Sequence, residues 1–344
     1  MLVAELTAPR TFRLLEQSAV DPAPGEIQVR VAATGICGSD LHAYGEGGVG
    51  DTPCQYPMVL GHEPAGTVVK TGAGVTGWTA GDRAALEPAL YCYHCEACRT
   101  GHHNVCENIR FLSNPGHPGF FREFVNLPAV NLLPIPAGLS MELASVAEPL
   151  AVAMHSMKFA AITPGETAVV FGAGPIGLLT IACLKLAGAG RIWAVEPVAH
   201  RRQMALQMGA DAAIDPARTD AAIELASETG GRGADCVIDC AAKQDTTNQA
   251  IRAVRGAGRV VLTGIHSDAL VPFEVSPMRR KELAIFNVRR SNGETHAALE
   301  LLAERAAWFA PMVTHTRPLG RIADAFDIAE RYADGVGKMV VTAQ

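Results

Sequence analysis

Short runs of apolar residues, closed off by glycine and proline, fill the first third of the chain. Residues 27–31, 65–69 and 124–126 read as strands of an irregular, mostly antiparallel body. From about residue 163 the rhythm changes. Residues 168–171 have the pattern of a buried strand, followed by a glycine turn and an apolar helix through 186. A strand at 192–196 and a helix at 201–208 come next, and strands at 236–239, 259–263 and 283–286 continue the series. Strands alternating with helices predict a parallel, doubly wound sheet. Beyond about 288 the pattern turns helical at 295–309 and 322–332, and it closes with a strand at 338–342. The expected class is α/β. Residues 1–154 and 289–344 are expected to form a mostly-β domain with a small lobe at about 88–110, and 155–288 the parallel-sheet domain.

Composition narrows the classes of function. Of 344 residues, 49% are hydrophobic and 19% charged, enough apolar material for two cores. A net charge of −6 offers no basic field for nucleic acid or acidic lipid. No uncharged apolar run is long enough to span a membrane, and residues 1–10 lack the basic and apolar regions of a signal peptide. Nine cysteines, an odd number with four crowded together, fit a reducing compartment with metal sites better than a disulfide framework. The expected location is the cytoplasm.

The crowded four are Cys92, Cys95, Cys98 and Cys106, spaced C-x2-C-x2-C-x7-C. Closely spaced thiolates in one loop can converge on a tetrahedral zinc, leaving no open position and therefore doing no chemistry. An iron–sulfur cluster is the competing reading, but the ferredoxin run has a shorter last spacing and a proline after its final cysteine. A second set is dispersed: Cys37, His62, Glu63 and Glu148. A catalytic zinc takes such a mixed, incomplete shell, so that substrate or water can fill the last place.

Gly172-Ala173-Gly174-Pro175-Ile176-Gly177 follows an expected strand and opens an expected helix. Gly172 permits the tight turn, Gly174 lets a pyrophosphate approach the backbone, and Gly177 allows close helix–strand packing. The helix N-terminus favours the anion. Glu196 ends the next strand, where a carboxylate binds the adenosine ribose hydroxyls and repels a 2′-phosphate, so NAD is expected over NADP. Arg201 is expected to pack on the adenine, and Arg202 to be a charge on the helix surface.

With GICGSDLH at 35–42, GHE at 61–63, the four-cysteine loop, AEPLAVAMH at 147–155 and GAGPIG at 172–177, the chain resembles the zinc-containing medium-chain dehydrogenase/reductase family over essentially its whole length. It is most similar to the polyol branch, the sorbitol or L-iditol dehydrogenases, with 2,3-butanediol and threonine dehydrogenases close behind. The resemblance implies a GroES-like catalytic domain, a Rossmann NAD-binding domain, and two zinc ions per chain, one catalytic and one structural. Cys37, His62 and a glutamate would hold the catalytic ion, with either Glu63 or Glu148 as the resident ligand. As a Lewis acid that ion would lower the pKa of a bound secondary alcohol, whose carbon gives a hydride to NAD and becomes a ketone. Ser39 would bond the substrate oxygen and pass its proton outward, with His42 as the last station before solvent. Asp40 would orient His62.

The same resemblance places Phe111 on the pocket wall and Arg289 on a substrate hydroxyl. Ala43 and Arg290 depart from the branch, which carries tyrosines there. A smaller Ala43 admits a bulkier substrate, and Arg290 could receive an acidic or phosphate group. The expected partner is therefore a small-molecule alcohol, with diols, threonine or an acidic or phosphorylated polyol as alternatives. A homo-oligomer, dimer or tetramer, is expected through segments near 270–275 and 283–288. Two rival classes share the fold: a zinc-free reductase of activated double bonds, and an NAD-binding sensor with structural zinc alone.

Overall fold

In the strand Glu26–Gly35 seven of ten residues are buried, and partners cover both of its edges. It pairs antiparallel with Glu63–Thr71, with Lys338–Thr342 and with Phe124–Pro128. The full seven-stranded sheet runs Leu132–Pro134, Arg83–Leu86, Glu63–Thr71, Glu26–Gly35, Lys338–Thr342, Val313–Pro318, with Phe124–Pro128 off that path. Only the last pair of the path, Val313–Pro318 with Lys338–Thr342, is parallel. The computed structural model describes residues 1–243 and 245–343. The chain divides into two units, Met1–Ala151 with Asn292–Gln344, and Val152–Ser291.

Register in the first unit brings distant chemistry to one sheet end. Gly35 stands opposite Glu63 on one side and opposite Val340 on the other. The helix Gly38–Glu46 begins directly after, with Cys37 as its N-cap and Asp40 returning a carboxylate oxygen to the Cys37 N–H at 3.0 Å. Aliphatic and aromatic side chains fill the interior, including Leu6, Leu60, Phe121 and Phe326. The small lobe is a loop between Ala89–Leu90 and Arg110–Phe111, which pair antiparallel and close its base.

The second unit is a six-stranded, wholly parallel sheet. Its order is Ala212–Ile214, Arg191–Val195, Thr167–Phe171, Ala234–Asp239, Val254–Leu262, Ala284–Asn287. In sequence order this is 3-2-1-4-5-6, the doubly wound arrangement in which ligands bind beyond the strand carboxyl ends where the order reverses. Helices on both faces explain why Ala168, Val169 and Val170 are fully buried. At the opposite, N-terminal end of this sheet Asp235 accepts from Thr167 N at 2.9 Å, Thr167 Oγ1 at 2.8 Å and Arg255 Nε at 2.7 Å, and pairs with Arg232.

One expected element differs. The helix expected at 295–309 is broken into Thr295–Glu304 and Ala306–Phe309, because Arg305 leaves helical geometry at φ −116°, ψ 29°. Pro311 then turns the chain through Ala310–Met312. Among the described residues no helix is long and apolar enough to cross a membrane.

Candidate active site and dinucleotide turn

Antiparallel pairing of Gly35 with Glu63 sets the end of one strand beside the start of its neighbour. The turn leaving the first carries Cys37, the turn entering the second carries His62, and Glu63 is that second strand's first residue. Among the described residues, donor atoms of Cys37, His62 and Glu63 all lie within 4.8 Å of one another. Glu148 is not in that group; it sits half-buried in the first turn of Ala147–Ala160.

Asp40 organises this cluster. Its Oδ1 accepts from Gly61 N at 3.1 Å and from Ser113 Oγ at 3.3 Å, and it lies 3.4 Å from His62 Nδ1. With Nδ1 facing Asp40, the Nε2 of His62 is left for another partner, and Ser39 Oγ stands 3.5 Å from it. Burial alone would depress the His62 pKa, but the Asp40 carboxylate and Cys37 raise it well above its usual value. Asp40 is itself held below the usual carboxylate range against its own burial, by His62 and the backbone N–H groups of Cys37 and Gly61. Burial drives Glu148 the other way, to about 8; His62 and Lys338 pull it down, while Glu63 and Glu87 push it up.

Glu63 is 1% exposed, and Oε1 has no hydrogen-bond partner. Its Oε2 contacts the buried Lys338 ammonium as an ion pair, though without the direction of a hydrogen bond. A buried carboxylate with an oxygen to spare, beside a cysteine and an oriented imidazole, suits a borderline divalent cation such as zinc. Phe111 is buried, its ring 5.4 Å from that of His62. His42 pairs through Nδ1 with Glu46 at 2.9 Å, one helical turn on. Ala43 is 2% exposed within the core cluster that holds Tyr44 and Phe326.

The four-cysteine lobe passes a stricter test of fit. Its sulfurs are 3.5 Å (Cys92–Cys106), 3.9 Å (Cys95–Cys106) and 4.0 Å (Cys92–Cys98) apart. A tetrahedron with zinc–sulfur bonds of about 2.3 Å has edges of about 3.8 Å, whereas a disulfide needs about 2.05 Å. The His94 and Cys95 N–H groups bring the Cys92 thiol down to about 5, while burial and neighbouring thiols push Cys98 up to about 12. Four sulfurs this close cannot all ionise without a cation among them.

In the second unit Gly172 takes φ 86°, and a Cβ on Gly177 would lie 1.9 Å from the Gly172 carbonyl oxygen, so both glycines are sterically required. Gly174 caps Pro175–Leu186, with Pro175 at its first position and Ile176 after it. A Cβ at Gly174 would meet only the Arg201 guanidinium, at 3.8 Å. Glu196 is buried and braces the turn: its oxygens accept from Ala173 N at 2.7 Å and Val198 N at 2.9 Å. Arg202 differs from the expected surface charge. It donates to the Glu196 and Pro197 carbonyls at 2.8 and 2.7 Å and pairs with Asp215 at 3.0 Å. Arg289 belongs to this unit, two residues beyond the edge strand Ala284–Asn287, and Arg290 takes φ 54°.

Residues 23–137 match the alcohol dehydrogenase GroES-like domain, and residues 175–304 match the zinc-binding dehydrogenase domain. The sorbitol dehydrogenase of Bacillus subtilis is 32% identical over 316 residues, spanning 92% of this chain and 90% of that protein. The chain belongs to the zinc-dependent medium-chain dehydrogenase/reductase family. An Aspergillus fumigatus protein named "Probable D-xylulose reductase A" is 38% identical over 285 residues, 81% of this chain and 79% of its own. A zinc-binding dehydrogenase of Sinorhizobium meliloti, solved bound to NADP, superposes with a TM-score of 0.91 at 29% identity, covering 99% of this chain and 98% of that one. Members of this family are oxidoreductases that use zinc and a nicotinamide dinucleotide, and the GroES-like and Rossmann folds expected of the two domains are those found.

Sequence reasoning missed Lys338, Ser113 and Glu87. Lys338 had a signal, a lysine opening the otherwise apolar run Lys338-Met339-Val340-Val341. Ser113 and Glu87 had none.

Proposed function

We propose that the protein is an NAD-linked dehydrogenase that oxidises a secondary hydroxyl of a polyol to the ketone. The donor cluster of Cys37, His62 and Glu63 carries this reading, since a mixed shell short of four protein ligands is what a catalytic zinc needs. The polyol substrate is supported by the relatives named sorbitol dehydrogenase and xylulose reductase. A zinc ion held there would supply Lewis acidity to the substrate hydroxyl, and the nicotinamide would accept the hydride.

The protein's own groups have distinct tasks. Asp40 holds His62 in one tautomer, with Nε2 as the donor atom. Ser39 Oγ, beside Nε2, accepts the substrate hydroxyl's proton as it hands its own on to His42. His42 lies one turn on along the same helix face and passes the proton to solvent; its Nδ1 is held by Glu46, so Nε2 does the accepting. Glu63 is the resident carboxylate, with Glu148 behind it. Phe111 walls the pocket beside His62, and Arg289 contacts a substrate hydroxyl. Cys92, Cys95, Cys98 and Cys106 hold the structural ion.

NAD rather than NADP is supported by Glu196, whose carboxylate would repel a 2′-phosphate, and by Arg202, which is engaged by Asp215. The turn built on Gly172, Gly174 and Gly177 receives the pyrophosphate, with Pro175 and Ile176 starting the helix and Arg201 against Gly174. A reduction screen of NAD and NADP over polyols, diols, sugar acids, sugar phosphates and threonine tests the proposal, alongside metal analysis. We expect two zinc ions per chain and the highest kcat/KM with NAD and a polyol. One zinc per chain, or turnover confined to activated double bonds, would overturn it.

A further inference from the structure

Lys338 stands among tryptophan, phenylalanine, leucine and isoleucine in the set of largest side chains less than 2% exposed. Burying an ammonium is costly unless its partners compensate. Among the described residues it touches the Glu63 carboxylate and the Ile36 carbonyl, to which Nζ donates at 2.9 Å. Both lead to the donor cluster. Glu63 is one of its members, and Ile36 is bonded to another, Cys37.

Gly35 shows how closely the backbone accommodates this pair. A Cβ there would lie 2.0 Å from Glu63 Oε2, 2.7 Å from Lys338 Cε and 3.1 Å from Lys338 Nζ. The ion pair therefore lies across the Gly35 Cα, and glycine is required for space. Its position follows from register, since Gly35 faces Glu63 on one side and the Lys338–Thr342 strand on the other. As a stability device the arrangement is poor, because apolar residues of like volume would fill the space at least as favourably. Its value lies in what it fixes.

We propose that Lys338 is a positioning residue of the catalytic metal site. It ties Glu63 and the Cys37 turn together from behind, so that the three donors keep their spacing. Gly35 is the space that permits it. The inference rests on reading Cys37, His62 and Glu63 as that site. Partners behind a metal ligand typically change metal affinity about 10–100-fold when removed.

The test is competition of full-length protein against a chromogenic zinc chelator, with the four-cysteine ion as internal reference and circular dichroism to verify folding. Wild type should hold two zinc ions. Lys338→Met should hold the reference ion normally and the other about 10–100-fold more weakly. Gly35→Ala should move the same ion in the same direction, since its methyl displaces the pair while leaving both charges. Lys338→Arg, which keeps the charge, should recover part of the loss. Should Lys338→Met fail to fold, Gly35→Ala and Lys338→Arg decide the matter. A folded Lys338→Met or Gly35→Ala protein with wild-type affinity for the second ion overturns the positioning role alone. A wild type that binds only one zinc overturns both this inference and the metal site beneath it.

Discussion

At the scale of single residues, Asp40 shows how one side chain serves several ends. Its Oδ2 caps the helix at the Cys37 N–H, while its Oδ1 faces His62 and accepts from Gly61 and Ser113. Asp40 is thus at once a helix cap and the partner of His62. Ser39 Oγ stands against His62 Nε2. Metal holding and proton removal should therefore fail separately. Cys37→Ala should lose the second zinc and turnover together, with dinucleotide affinity kept. Ser39→Ala should keep both zinc ions and lower kcat about 10²–10⁴-fold, the size of a lost acid–base step. Zinc content and steady-state kinetics on the two variants separate these roles; a Ser39→Ala enzyme with wild-type kcat removes Ser39 from the proton path.

At the scale of elements, legibility followed the length of chain a feature needs. The four-cysteine loop, the glycine turn and the Gly-His-Glu run are contiguous, so their chemistry was readable residue by residue. Links that depend on strand register were not. Lys338 meets Glu63 only because two strands flank Glu26–Gly35, and nothing in its own neighbourhood names that partner. Arg202 looked like a surface charge because its partners, the carbonyls before its helix and Asp215, are recruited by the fold. The parallel sheet has a similar device in Asp235, which joins Thr167 on one strand to Arg255 on another. Its burial opposes ionisation, but Arg232, Thr167 and Arg255 prevail and hold the carboxyl well below its usual range. A depressed folded pKa means that this stabilisation is fully present above the unfolded value near 3.9 and is lost as pH falls through the folded one. Asp235→Asn should cost roughly 2–3 kcal/mol at pH 7, and its gap from wild type should narrow as pH drops below about 4. Urea denaturation across pH 3–7 measures this; a gap that stays constant down to pH 3 contradicts it.

At the scale of the whole molecule, the edge strand Ala284–Asn287 has no second strand partner among the described residues. The nearby segment exposes Leu270 at 89% and Val275 at 66%, with Phe273 also exposed. An open edge beside exposed apolar side chains favours pairing with a second copy, so light scattering at micromolar concentration should give a dimer or tetramer. A single-chain mass would count against it. The two candidate metal centres also differ in when they can exist during synthesis. The four thiols of the lobe span residues 92–106, so a ribosome exposing that segment already exposes a complete set of ligands. The cluster beside Glu63 gains its brace only when residue 338 has emerged and its strand has docked on a partner translated long before. A nascent chain would thus hold its first ion at full strength early, and its second about 10–100-fold more weakly until the last strand is made.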